Sequence, residues 1–151
     1  MAPPSTQKTD LKASAYWLLK SEPETYSFSQ LMEQKRTNWD LVRNFQARNN
    51  IRKMQKGDLA LIYHSGDERA VVGVARIVTA PYAEIDREDG KEWAQVDVEP
   101  VVEFSKAVSL KQIKGDPSLA QLPLIKQSRL SVMPITEDEF KILLAHGEVQ
   151  A

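Results

Sequence analysis

Asp58-Leu59-Ala60-Leu61-Ile62-Tyr63-His64-Ser65, followed across Gly66-Asp67 by Val71-Val72-Gly73-Val74-Ala75-Arg76-Ile77-Val78-Thr79-Ala80, decides the fold class. In the first segment Leu59, Leu61 and Tyr63 fall on one face of an extended chain, and Ala60, Ile62 and His64 on the other. Gly66-Asp67 signals a turn. The second segment is apolar on both faces, which predicts a central strand covered on both sides. Upstream, Tyr16 to Lys20 reads as a short buried first strand stopped by Pro23. Downstream, Asp89-Gly90 marks a reversal before a long alternating run. There Val96, Val98, Val102 and Phe104 point inward and Gln95, Asp97, Glu99 and Glu103 outward, as in a half-buried antiparallel strand. Pro100 on the inward parity predicts an edge or a bulge. Leu130 to Met133 is the candidate last strand.

Short helices interrupt these strands. Ser27 and Gln30 form a capping box ahead of Phe28, Leu31 and Met32, which share one helical face. A second helix is predicted over Gln46 to about Gln55, with Ala47, Ile51 and Met54 inward and Arg48, Arg52 and Lys53 outward; Gly57 ends it. Ser109 with Gln112 and Asp116-Pro117 predict short capped turns. Thr136 and Glu139 form the clearest capping box, with Phe140, Leu143 and Leu144 as the buried stripe and Gly147 as the stop. Strands broken by short helices, without strict β-α-β alternation, predict an α+β fold: a mixed sheet curled on itself with helices around it. No internal repeat or linker is visible. The expectation is a disordered tail over residues 1–14 and one domain over 15–148.

Composition narrows the chemistry. The 151 residues include no cysteine and only two histidines, His64 and His146. Disulfides, thiolate zinc sites and thiol nucleophiles are excluded, and a multi-histidine metal site is disfavoured. No apolar run has the length of a membrane span, and Met1 to Ser14 lacks the apolar core of a signal peptide. There is no phosphate-binding glycine loop, dinucleotide fingerprint or serine nucleophile elbow. No cofactor, metal or membrane partner is expected.

Charge is uneven. Lys35 to Lys56 carries seven basic residues (Lys35, Arg36, Arg43, Arg48, Arg52, Lys53, Lys56) against Asp40, a net of +6 in a chain of net −1. Within it, Trp39-Asp40-Leu41-Val42-Arg43-Asn44 joins an aromatic face, a guanidinium and a carboxamide, groups that stack on and hydrogen-bond a nucleobase. Core packing is the competing reading of Trp39. For Tyr63-His64-Ser65 the alternatives are a satisfied interior histidine and a polar pocket wall; alternation sends Tyr63 and His64 to opposite faces unless a bulge re-aims one. Lys20-Ser21-Glu22 is either a solvated ion pair or the rim of a cavity. Arg48, Arg52, Lys53 and Lys56 form either a solvated face or a phosphate-tracking groove, the latter favoured because no acid shares their helix. The acids from Glu84 to Glu103 read as an opposite, solvent-facing side.

Four strings occur in order: Tyr16-Trp17-Leu18-Leu19-Lys20-Ser21-Glu22-Pro23, then Trp39 to Asn49, then Gly57-Asp58 with Tyr63-His64-Ser65, then Ser128-Arg129-Leu130-Ser131-Val132. In them the chain resembles the EVE-domain family of the PUA-like superfamily, from Tyr16 to about His146. The resemblance implies a PUA-like pseudo-barrel of about five or six mixed strands with peripheral helices. It implies a non-catalytic module reading a modified nucleobase, notably modified cytosine in DNA, in a cleft related to the aromatic pocket of YTH domains. Carried over by motif, the base-binding cleft comprises Lys20, Ser21, Glu22, Trp39, Arg43, Asn44, Tyr63, His64 and Ser65, with Arg129 and Ser131 nearby, and Trp17 in a buried supporting role. Asn38 stands where some relatives carry cysteine, and Leu41 replaces a common small residue. The rivals are an RNA- or tRNA-binding module and an ASCH-like amidohydrolase using Lys20 and Glu22; an acidic protein partner is a weaker third. The expected compartment is the cytoplasm, or the nucleus in a eukaryote.

Overall fold

The computed structural model describes residues 11–40 and 42–149. Among these residues seven strands, β1 (Tyr16–Ser21), β2 (Thr37–Trp39), β3 (Leu59–His64), β4 (Ala70–Ile77), β5 (Tyr82–Ile85), β6 (Glu92–Ser109) and β7 (Val132–Ile135), form one sheet. The order is β2-β6-β4-β3-β1-β7, with β5 paired to β6. β1 and β3 run parallel; every other pairing is antiparallel. This mixed sheet curls into a half-barrel flanked by helices, consistent with a PUA-like pseudo-barrel.

The β4–β6 pairing is broken twice. Val74 faces Val102 and Ala75 faces Pro100, so Val101 is an extra residue, and a larger slip follows between Val71 and Gly73. Such bulges bend a strand and increase its twist, as Pro100 foretold. The first part of β6 holds β5 and β2, and the remainder crosses over β4. β4 lies between β3 and β6 and is buried on both faces along most of its length.

Among the described residues five helices, α1 (Phe28–Gln34), α2 (Phe45–Arg52), α3 (Leu110–Lys114), α4 (Pro123–Lys126) and α5 (Glu137–His146), and a 3-10 turn over Pro117–Leu119 surround the sheet. Both capping boxes form. Phe28 from α1 presses onto β4 at Gly73, where a Cβ would stand 2.5 Å from the ring. Beneath β1, the buried Asp58 accepts the Trp17 indole N–H at 2.9 Å and the Gln55 N–H at 2.9 Å, so Trp17 is a supporting core residue.

Several local expectations are corrected. Met32 is 43% exposed rather than part of the inner stripe of α1. α2 starts at Phe45 and ends at Arg52, and the last strand runs over Val132–Ile135. β2 and β5 had no local signal, and Trp39 closes a strand, β2, that the sequence did not announce. Residues 1–10 of the expected tail lie outside the described residues, but Leu11 is buried in the core and Ala13 N–H donates to the Tyr16 hydroxyl at 3.0 Å. Among the described residues no helix is long and apolar enough to cross a membrane.

Candidate nucleic-acid interface

A hollow of about 420 Å³ opens between the end of β1, the β1–α1 connector, β2, the start of the β2–α2 connector and Ser131. Its volume lies in the range of roughly 300–1,000 Å³ typical of small-ligand sites. Pro23 ends β1 and the chain turns at once: Thr25 and Tyr26 N–H both donate to the Glu22 carbonyl, at 2.9 and 2.8 Å. The Ser21 hydroxyl donates to the Tyr26 carbonyl at 2.5 Å, and the Tyr26 hydroxyl donates to Gln34 at 2.7 Å. Tyr26 is thereby fixed edge-on to Trp39, with ring centroids 6.4 Å apart and planes at 86°. β2 places Trp39 opposite Val96. The indole is only 9% exposed, yet it lines the hollow. Thr25, Thr37, Asn38, Asp40 and Val42 complete the wall with Lys20, Ser21, Arg43 and Ser131.

Two cations stand in that wall. The Lys20 ammonium donates to the Ser128 carbonyl at 2.6 Å and lies 5.8 Å from the centre of the Tyr63 ring. Burial lowers its pKa. The Arg43 guanidinium is held by acids from β5 and the turn after it: Nη2 reaches Glu84 at 2.9 Å, Nη1 reaches Glu84 at 3.3 Å and Nε reaches Asp86 at 3.0 Å. The Glu84 hydrogen bond is the chief cause raising the Arg43 pKa. The same guanidinium lies 5.2 Å from the Trp93 ring centre.

Of the residues expected in the cleft, Lys20, Ser21, Trp39, Arg43 and Ser131 converge on this hollow. The others go elsewhere. Glu22 is exposed outside it. The Asn44 carboxamide oxygen caps α2 by accepting from Ala47 N–H at 2.9 Å. Asn44 and Arg129 instead border an adjacent groove of about 340 Å³ with Gln46, Gln127 and Ser128. Tyr63 is 2% exposed and lies behind Lys20. His64, 7% exposed, follows the interior reading: Nε2 accepts from Phe28 N–H at 3.0 Å, which leaves the proton on Nδ1, 2.8 Å from Glu68. Ser65 extends the β1–β3 pairing through its N–H to the Ser21 carbonyl. Tyr26, Thr25 and Thr37 were missed. An aromatic in the short link between Pro23 and the Ser27 cap was the one available signal for the first.

The charge pattern also changes. Arg48, Arg52, Lys53 and Lys56 lie on or just after α2, outside the hollow. They are not free of acids, because Arg52 approaches Glu92 at 3.6 Å. Arg36 pairs with Asp97 at 3.0 Å and approaches Glu99 at 3.7 Å. The acids between Glu84 and Glu99 therefore stand beside the basic segment, not on an opposite side. The β5–β6 ribbon brings them there by pairing with β2 and packing along α2. Among the described residues no group of three or more acidic or histidine side chains could hold a metal ion.

Comparison with known proteins matches this architecture closely. The family model for the EVE domain matches residues 15–146. Human thymocyte nuclear protein 1 is 33% identical over 179 residues, covering 95% of this chain and 79% of that protein. A crystal structure of the human protein in complex with 5-methylcytosine-containing DNA superposes with a TM-score of 0.80 at 31% identity, covering 91% of this chain and 100% of that one. A protein from Agrobacterium tumefaciens gives a TM-score of 0.83 at 36% identity, covering 90% and 94%. An ASCH protein from Zymomonas mobilis shares the fold alone, with a TM-score of 0.52 at 11% identity over 87% and 97% of the two chains. The chain belongs to the EVE-domain family.

Proposed function

We propose that the protein is a non-catalytic DNA-binding module that takes one extruded, modified cytosine into the hollow beside Trp39. The observation that carries this reading is the perpendicular Trp39–Tyr26 pair walling a hollow with Arg43 and Lys20 at its edge. An aromatic corner with polar groups on the remaining sides suits a flat heterocycle with hydrogen-bonding edges. The complex of the human relative with 5-methylcytosine DNA supports the choice of base and polymer.

Extrusion of a paired base costs a few kcal/mol, and one stack returns about 1–3 kcal/mol. The remainder comes from phosphate attraction, for which Arg48, Arg52, Lys53 and Lys56 are the available side chains, so binding is salt-sensitive. Among the described residues of the wall, Val42 is the one purely aliphatic side chain. A ring methyl seated against it and Trp39 contributes about 0.8 kcal/mol, roughly a fourfold preference over unmodified cytosine. Hydrolysis through Lys20 and Glu22 is disfavoured, because the ammonium donates to a backbone carbonyl and Glu22 lies outside the hollow. The test is binding of duplexes that differ in one 5-methyl group, using the parent and Trp39→Ala. The parent prefers the methylated duplex and the variant does not; a variant that keeps the preference sinks the assignment.

A further inference from the structure

We infer that Phe45 is a second base-stacking contact, taking a base of the same DNA next to the one extruded into the hollow; this rests on the reading above. Phe45 opens α2 and is 52% exposed. Its inner face is fixed. It stacks on Trp93 with centroids 5.2 Å apart and planes at 13°, and Trp93 is itself 4% exposed in β6. The ring is therefore a rigid plate whose free surface meets solvent.

Cations surround that plate. The Arg48 guanidinium lies 4.9 Å and the Lys91 ammonium 5.4 Å from the Phe45 ring centre. An aromatic plate flanked by cations matches a base with phosphates on either side. A base entering there exchanges a cation contact for a stack and leaves the cations beside its phosphates. Glu84 and Asp86 are already paired with Arg43, and Glu92 with Arg52. The plate is also continuous with the hollow: Arg43, which lines the hollow, lies 5.2 Å from the same Trp93 ring that supports Phe45. Phe45 thus stands where a strand delivering one base to the hollow presents its neighbour.

The test uses a duplex with one 5-methylcytosine and 2-aminopurine as the adjacent base, alongside its unmethylated counterpart. Phe45→Ala weakens binding of both duplexes by about fivefold to about 140-fold and leaves their ratio unchanged. The change in 2-aminopurine emission on binding is lost with it. Phe45→Leu still covers Trp93 and cannot stack; it melts as the parent does and binds as Phe45→Ala does. If Phe45→Leu binds and perturbs 2-aminopurine as the parent does, the inference is overturned, and the exposed ring serves something other than DNA. That failure is distinct from failure of the hollow: parent binding with a preference that Trp39→Ala abolishes leaves the first reading standing alone. A parent that binds neither duplex overturns both.

Discussion

Replacing Glu84 by glutamine separates two consequences of the Arg43 clamp. The guanidinium now stands between two carboxylates, a local sum of −1, held bidentately by Glu84 and through Nε by Asp86. Glu84→Gln brings that sum to 0 and keeps a neutral partner of the same shape. The Arg43 and Glu84 side chains are 31% and 15% exposed. Partial burial and bidentate geometry place the pair near the upper end of surface values, about 1 kcal/mol. The variant is therefore slightly less stable, which urea unfolding measures.

DNA binding moves the other way. If the released guanidinium meets one more phosphate, the slope of log affinity against log salt steepens by about 0.9. Between 50 and 200 mM salt the fall in affinity then grows by about 3.5-fold. Fluorescence anisotropy at several salt concentrations reads this directly. The double variant Glu84→Gln/Arg43→Ala returns to the parent slope, which ties the gain to Arg43 and not to the lost carboxylate. A single variant with the parent slope and lower stability refutes the reasoning: Arg43 would then be a structural strut.

Gly73→Ala drives a methyl to within 2.5 Å of the Phe28 ring. We expect a loss of about 1–3 kcal/mol, visible in urea unfolding, as α1 is pushed off β4. Tyr82 donates to Asp97 at 2.6 Å, and that hydrogen bond is the main cause raising its pKa to about 12. The unfolded tyrosine loses its proton near pH 10, before the folded one does, so this stabilisation is complete below about pH 10 and disappears as pH rises to about 12. Tyr82→Phe should therefore lower stability at neutral pH, with a gap to the parent that closes over that window in pH-dependent unfolding.

Elements whose signals are local were legible. Ser27–Gln30 and Thr136–Glu139 close both capping boxes within four residues of chain, and β3 and β4 carry enough alternating or continuous apolar residues to declare themselves. β2 could not: three residues show no periodicity, and Thr37–Trp39 is a strand only because Val96 to Val98 pair with it. The lining of the hollow was legible where family strings named residues at strand ends, as with Lys20, Ser21 and Trp39. It was illegible where a polar side chain within those strings serves the backbone. Asn44 caps α2, and His64 anchors Phe28 N–H. A charge count along the chain could not see that Glu84, Asp86 and Glu92 fold back onto Arg43 and Arg52, because those pairs span about 40 residues.

The most direct test is equilibrium titration of the parent with two DNA duplexes identical except for one 5-methyl group, at a single stated salt concentration. An extruded base seated against Val42 and Trp39 requires tighter binding of the methylated duplex, by roughly fourfold. Equal affinities for the two duplexes would contradict it.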